Sequence, residues 1–363
     1  MGQASSAAPP TPGPGPTGGT RLTVECSGTL AVVGGSRGVA EENMQTVPDE
    51  IVERLRCPRC SSTMTDRGSE GVVCSEGHRY SRNRGYLDFS KEAPAGGSTE
   101  RTFASFGYEW NAFDGVRDED DKFAEVYFRD LDLDSLHGKV GLDAGCGKGR
   151  FTRILAEHLA AEVALDGSVA VEAAAVNLDD RPNVTVIRSD LRSAPFAPES
   201  FDFISSLGVL HHLDDPFEGF TRLLTLLAPK GQVLLYLYSR PSTAGVRSVA
   251  LSLATAVRTV TVRLPHPVLK ALSTPIAGLL YAGFVAPGRW GQRHKIARLA
   301  DLPMDTYRDK PFRSLVLDTF DRLSAPVEYR YVWKDLQRWF DETGLVVDAA
   351  RDETGWFVLA HRA

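Results

Sequence analysis

Val140-Gly-Leu-Asp-Ala-Gly-Cys-Gly-Lys-Gly-Arg-Phe151 is an apolar strand that runs into three alternate glycines and then into a helix-forming segment. Gly145, Gly147 and Gly149 let the backbone turn sharply and approach a ligand closely, and the helix that follows presents free N–H groups at its start. Working outward, a second apolar strand at Glu162–Leu165 ends in Asp166, twenty-one residues past Gly145, and a third at Asn183–Arg188 leads into Ser189-Asp190-Leu191. Further apolar runs at 201–206 and 232–238 alternate with amphipathic segments at Arg150–Leu159, Val169–Val176 and Phe217–Leu227. This alternation predicts an α/β fold, a parallel sheet covered by helices. The rhythm stops after residue 240 for about eighty residues, then resumes with a helix at Trp333–Glu342 and a closing strand pair at 345–350 and 356–361.

An acidic side chain at the end of the second strand is placed to accept both hydroxyls of a ribose. A carboxylate after the third strand can accept from an exocyclic adenine amine. A nicotinamide enzyme would need a G-x-x-G spacing to make room for pyrophosphate, whereas Gly149 follows Gly147 by two and position 150 is arginine. With the loop, Asp166 and Asp190 in this order, the chain resembles the class I S-adenosylmethionine-dependent methyltransferases, specifically their small-molecule branch. The likeness is close over 101–239 and looser over 333–363.

The resemblance implies a Rossmann-like, seven-stranded sheet with S-adenosylmethionine as cofactor. It implies that Asp143, Gly145, Gly147 and Gly149 hold the methionine end, that Asp166 binds ribose, and that Asp190 and Leu191 flank adenine. Phe201–Leu213 matches the family's fourth strand and following loop, with backbone at Leu207 and Gly208 facing the cofactor's amino group. His211 and His212 are candidates for orienting an acceptor or taking its proton, since histidine titrates near neutrality; a structural role at the turn is the equal alternative. Phe103–Phe113 resembles the F-G-x-x-W segment of zinc-ribbon-bearing bacterial methyltransferases. That makes Tyr108, and Trp110 beside it, candidates for capping the cofactor pocket, with core packing as the alternative.

Cys57-Pro-Arg-Cys60 is a C-x2-C knuckle, and Cys74-Ser-Glu-Gly-His78 follows with thirteen residues between Cys60 and Cys74. Four such ligands suffice to close a tetrahedral structural zinc site; buried thiols in a small core are the alternative. The surrounding residues resemble the zinc ribbons of the methyltransferase-activator family and of the rRNA guanine-N1 methyltransferases. The second likeness implies RNA recognition, for which Arg54, Arg56, Arg59, Arg79, Arg82 and Arg84 supply a basic face.

The chain therefore divides into a disordered tail at 1–43, a zinc-ribbon-like module at 51–90, a linker at 91–100 and a methyltransferase domain at 101–363, with a helical insertion or lid at 241–325 after the fifth strand. Residues 241–300 hold eight Lys or Arg and no Asp or Glu, so a net charge of −6 for the whole leaves −14 elsewhere. Val246, Val249, Leu253, Val257, Val260 and Leu264 recur at helical spacing. A basic, apolar lid fits a lipid-like or phosphorylated substrate and a peripheral membrane contact; a helical pair covering the sheet, with homodimerisation, is the alternative. The overall acidity excludes a generic polyanion binder, and the absence of a basic-then-apolar leader fits a cytoplasmic setting. The expected function is methyl transfer to a small-molecule or lipid-like acceptor. The alternatives are an RNA base methyltransferase and a non-catalytic cofactor-binding scaffold or activator subunit.

Overall fold

The computed structural model describes residues 46–92, 98–112, 125–240, 255–353 and 355–363. The expected tail at 1–43 and the insertion residues Val246, Val249 and Leu253 lie outside them. All described residues belong to one compact unit, Asn43–Ala363.

Three short strands, β1 (Met64–Asp66), β2 (Val72–Cys74) and β3 (Arg79–Tyr80), form a small antiparallel sheet around the cysteines. A nine-stranded sheet holds the rest: β4 (Arg82–Asn83), β5 (Tyr86–Asp88), β6 (Val140–Ala144), β7 (Ala161–Asp166), β8 (Val184–Arg188), β9 (Phe201–Leu207), β10 (Leu227–Leu237), β11 (Leu345–Asp352) and β12 (Trp356–Arg362). The order is β11-β12-β10-β9-β6-β7-β8-β5-β4, with β6 to β10 parallel and the β11–β12 hairpin antiparallel at one end. Every residue of β6 is buried, as expected for a central parallel strand with helices on both faces.

The seven strands from β6 to β12 match the expected sheet, and the cysteine module adds two more. Tyr86, Leu87 and Asp88 pair in parallel with Val186, Ile187 and Arg188, covering what would be an open edge of β8. Backbone bonds from Arg56 to Pro195 and from Ala197 to Arg54 tie the module to the loop after β8 as well. The 51–90 segment is thus built into the sheet. The expected Arg150–Leu159 helix is α-helical only over Thr152–Leu155, because Ile154, Glu157 and His158 bond three residues back and tighten the turns on either side.

In the insertion, helix His266–Leu280 continues through a π-helical turn at Tyr281–Val285 into Ala286–Arg293. Helix Phe312–Ser324 lies along it, with Ala277 and Val285 packed on Leu315 and Val316, and Leu269 on Phe320 and Leu323. Of the expected apolar stripe, Leu264 packs inward whereas Val257 and Val260 face solvent.

Candidate functional site

The glycine loop leaves β6 with φ of +92° at Gly145, +55° at Gly147 and +81° at Gly149. A Cβ at Gly145 would stand 2.2 Å from Val209 Cγ2, so both the turn and the space demand glycine there. The N–H groups of Gly145 and Cys146 both reach Leu165 O, at 2.7 and 3.0 Å, folding the loop over the end of β7. There the Asp166 carboxylate accepts from Gly147 N at 3.0 Å and from Ser168 N at 2.8 Å. Two backbone donors hold the group still and leave about half of its roughly four acceptor positions free.

Above this loop lies a cavity of about 120 Å³ with a mostly apolar lining. Gly145, Gly147, Asp166, Leu191, Leu207, Gly208 and His212 all line it. Its roof is helix Ser98–Ala112, through Thr102, Phe103 and Phe106. That helix comes close because Gly107 and Gly167 are small: a Cβ on Gly167 would meet Phe103 Cζ at 2.3 Å, and one on Gly107 would meet Val169 Cγ2 at 2.7 Å.

Three of the expected cofactor residues stand behind this wall. Asp143 is buried, accepting from Thr152 Oγ1 at 2.7 Å and Ser205 Oγ at 3.0 Å, so it braces β6 against β9 and the following helix. Burial, tempered by those two hydroxyls, pushes its carboxyl up to about 6. Gly149 backs onto Leu178. Asp190 spends its carboxylate on Arg192, at 2.5 Å from the guanidinium, and on the Arg192 backbone N–H at 2.9 Å.

The two histidines differ. His212 lines the cavity, donates from Nδ1 to Val327 O at 2.7 Å, and meets the Phe106 ring edge-on at 4.8 Å. Burial brings it down to about 4, so it is neutral at pH 7 with Nε2 as an acceptor. His211 is fully buried outside the cavity lining, 4.0 Å from the Tyr238 ring, and burial followed by the charges of His212 and Arg330 holds it well below the usual range. Tyr108 points the other way from the expected cap. It sits on the side of its helix that faces the insertion, stacked on His266 at 5.2 Å and tilted against Phe320 at 5.8 Å. The Trp110 side chain lies outside what is described.

Residues that sequence reasoning passed over also gather here. Glu109 is buried on the roof helix, and burial, then Asp321 and Asp318, raise its carboxyl well above the carboxylate range. Asp321 accepts from the Tyr238 hydroxyl at 3.5 Å, and burial followed by Asp318 raises it to about 7. Helical spacing alone pointed to Glu109, three residues past Phe106; nothing in the chain linked it to Asp321, more than two hundred residues later.

Cys57, Cys60, Cys74 and His78 converge, with ligand atoms 3.4 to 3.7 Å apart along four of the edges. A tetrahedron with zinc–sulfur bonds of about 2.3 Å has edges of about 3.8 Å, so the four atoms fit zinc. Burial works against the Cys57 thiolate, but the Tyr80 hydroxyl at 3.4 Å and backbone N–H groups outweigh it and bring the thiol down to about 6. The six arginines of the module's basic face all have partners. Arg54 reaches Ser200 O, Arg56 reaches Leu55 O, and Arg59, Arg79, Arg82 and Arg84 pair with Glu92, Glu70, Asp66 and Glu172.

Residues 142–235 match the family described as the methyltransferase domain. An uncharacterized protein of Synechococcus sp. is 30% identical over 224 residues, 59% of this chain and 49% of that protein. The 2-phytyl-1,4-naphtoquinone methyltransferase of Thermosynechococcus vestitus is 30% identical over 118 residues, 31% of this chain and 52% of that enzyme. The chain spans about half the length of these relatives. Among solved structures, an S-adenosylmethionine-dependent methyltransferase from Mesorhizobium loti aligns with a TM-score of 0.41 at 17% identity, over 67% of this chain and all of that one. The stretch that matches the methyltransferase-domain family, 142–235, runs from β6 to β10 of the Rossmann-like α/β sheet.

Proposed function

We propose that the chain transfers a methyl group from S-adenosylmethionine to a small-molecule or lipid-like acceptor. The observation that carries this reading is the roofed cavity in which Asp166, pinned by two backbone N–H groups, faces the glycine loop. Asp166 would hold the ribose, the loop and the backbone at Leu207 and Gly208 the methionine end, and Leu191 the adenine. The cofactor's sulfonium supplies the methyl group, and the chain contributes alignment, exclusion of water and a neutral acceptor atom at His212. Cys57, Cys60, Cys74 and His78 would hold one structural zinc, with no position left for a substrate.

The kinship with an enzyme named for 2-phytyl-1,4-naphtoquinone supports an acceptor that carries a ring and an apolar chain. So does the insertion, where Leu279, Val260 and Trp290 are exposed beside Arg263, Arg293, Lys295 and Arg298; that face would rest on a membrane surface. Partnered arginines across the module favour this reading over RNA binding.

Calorimetric titration of zinc-loaded protein with S-adenosylmethionine, and separately with NADH, tests the core of the proposal. Micromolar binding of the first alone supports it, and absence of binding to folded protein refutes it. Methyl uptake from labelled cofactor into reduced 1,4-naphthoquinone then tests the acceptor class.

A further inference from the structure

Thr102, Ser105, Phe106 and Glu109 are spaced so that they share one face of the roof helix, and Thr102 and Phe106 line the cavity. Thr102, Ser105 and Glu109 are only 3%, 1% and 3% exposed, yet Thr102 Oγ1, Ser105 Oγ and Glu109 Oε2 have no hydrogen-bond partner among the described residues. Asp321 Oδ1, on the helix that packs against this one, is equally bare, and so are both ring nitrogens of His211, which is 0% exposed. Asp321 and His211 meet through Tyr238: its hydroxyl donates to Asp321 Oδ2 and its ring lies 4.0 Å from the imidazole. A buried polar group left unpaired is destabilising. Asp321 also acts on Glu109 through its charge, and the His211 ring lies 4.3 Å from that of His212, which lines the cavity, so these groups form a linked set that leads to it. They call for a ligand.

We propose that this cluster is the subsite for the methyl acceptor, and that it takes a neutral ring hydroxyl held among Glu109, Asp321 and His211. The assignment rests on the methyltransferase reading above. Burial, then Asp321 and Asp318, keep the proton on Glu109, and burial followed by Asp318 brings Asp321 to about 7, where it is divided between its protonated and ionised forms, so the pair offers a donor as well as acceptors. The neutral imidazole of His211 offers one of each. A hydroxyl needs both, whereas an ammonium group would need ionised carboxylates. The Phe106 and Tyr238 rings beside them give an aromatic acceptor faces to pack on. When the acceptor oxygen bonds the methyl carbon and sulfur keeps the electron pair of the broken carbon–sulfur bond, the hydroxyl proton passes to the ionised fraction of Asp321.

Full-length protein saturated with S-adenosylhomocysteine is titrated anaerobically with 1,4-dihydroxynaphthalene, as wild type, Glu109→Leu and Glu109→Gln, and each is melted. The expected result is unchanged S-adenosylhomocysteine affinity throughout, about tenfold weaker diol binding in the leucine variant and near wild-type binding in the glutamine variant, which restores the hydrogen bond. Glu109→Leu should also melt at or above the wild-type temperature, because it removes an unpaired buried carboxyl. A drop of several degrees in that variant would show a structural carboxyl and overturn the proposal, as would diol binding that the leucine leaves untouched, or no diol binding by wild type at millimolar concentration. Loss of S-adenosylhomocysteine binding in wild type would instead strike the methyltransferase reading itself.

Discussion

Asp166 and His212 face one cavity, and their surroundings push them toward opposite uses. Asp166 is held in place by two backbone N–H groups, and each hydrogen bond from a ligand hydroxyl to a carboxylate is worth about 1.5–3 kcal/mol. Asp166→Ala should therefore weaken S-adenosylmethionine binding by at least about a hundredfold in calorimetry, while leaving the melting temperature of the ligand-free protein nearly unchanged. His212 is neutral in the fold at about 4 against an ordinary 6.5. Between those values the unfolded chain binds the extra proton, so this residue's contribution to stability is full above pH 6.5 and is lost as pH falls toward 4. The size is about 3 kcal/mol. His212→Asn keeps a donor for Val327 O and removes the titration. Urea unfolding at pH 7 and pH 4.5 should show a larger acid loss in wild type than in the variant, and equal losses would contradict the buried neutral imidazole. Raised carboxyls such as Asp143 and Asp321 titrate with the opposite sign in both proteins and cancel in the comparison. The place of Asp166, Gly145 and Gly147 at one cavity was readable from sequence because it follows from their position at strand ends. Asp143 and Asp190 share that placement, but their carboxylates are spent on Thr152, Ser205 and Arg192, partners that only the folded chain supplies.

At the level of elements, strands β6 to β10 and the closing hairpin were legible because buried parallel strands are continuous apolar runs set off by turns. Tyr86–Asp88 was not, since three residues carry too little pattern to reveal a strand that pairs with β8. That pairing changes what zinc would do. With β5 in the main sheet, loosening the cysteine cluster frees the edge of β8, whose end leads through Asp190 to Leu191 at the cavity. Stripping the metal with a chelator, or replacing Cys60 with alanine, should lower the melting temperature by about 5 °C or more and weaken S-adenosylmethionine binding as well. Two separate calorimetric transitions with cofactor affinity intact would show instead that the module melts alone. Tyr108 illustrates the same limit on the roof helix: Phe103 and Phe106, five and two positions before it, face the cavity, but which side of a helix meets the insertion depends on His266 and Phe320, far along the chain.

Across the whole molecule, charge and apolar surface are segregated together. The chain outside 241–300 carries −14, while 241–300, the first part of the insertion, collects eight cations and no acidic residue. Its helical stretch His266–Arg293, 28 residues, is long and apolar enough to cross a membrane by length and composition. Leu269, Ala277 and Val285 nevertheless face helix Phe312–Ser324, and Pro275 interrupts the run, so one side of the stretch is committed to protein packing. What remains outward is an apolar band with cations at its end: Leu279 is 76% and Trp290 53% exposed, close in sequence to Arg293 and Lys295. Such a face suits a helix lying in the interface of an anionic bilayer, where apolar burial and attraction to headgroups add. The protein should therefore co-sediment with vesicles containing phosphatidylglycerol, less so with pure phosphatidylcholine, and less again at 0.5 M salt as screening removes about 1 kcal/mol per engaged cation. Leu279→Glu, which sets a charge on the exposed side away from helix Phe312–Ser324, should cut that partitioning by about tenfold or more without lowering the melting temperature. Equal partitioning of wild type and variant, or none by wild type at low salt, would detach the insertion from any membrane and leave it as a lid that selects the acceptor from solution.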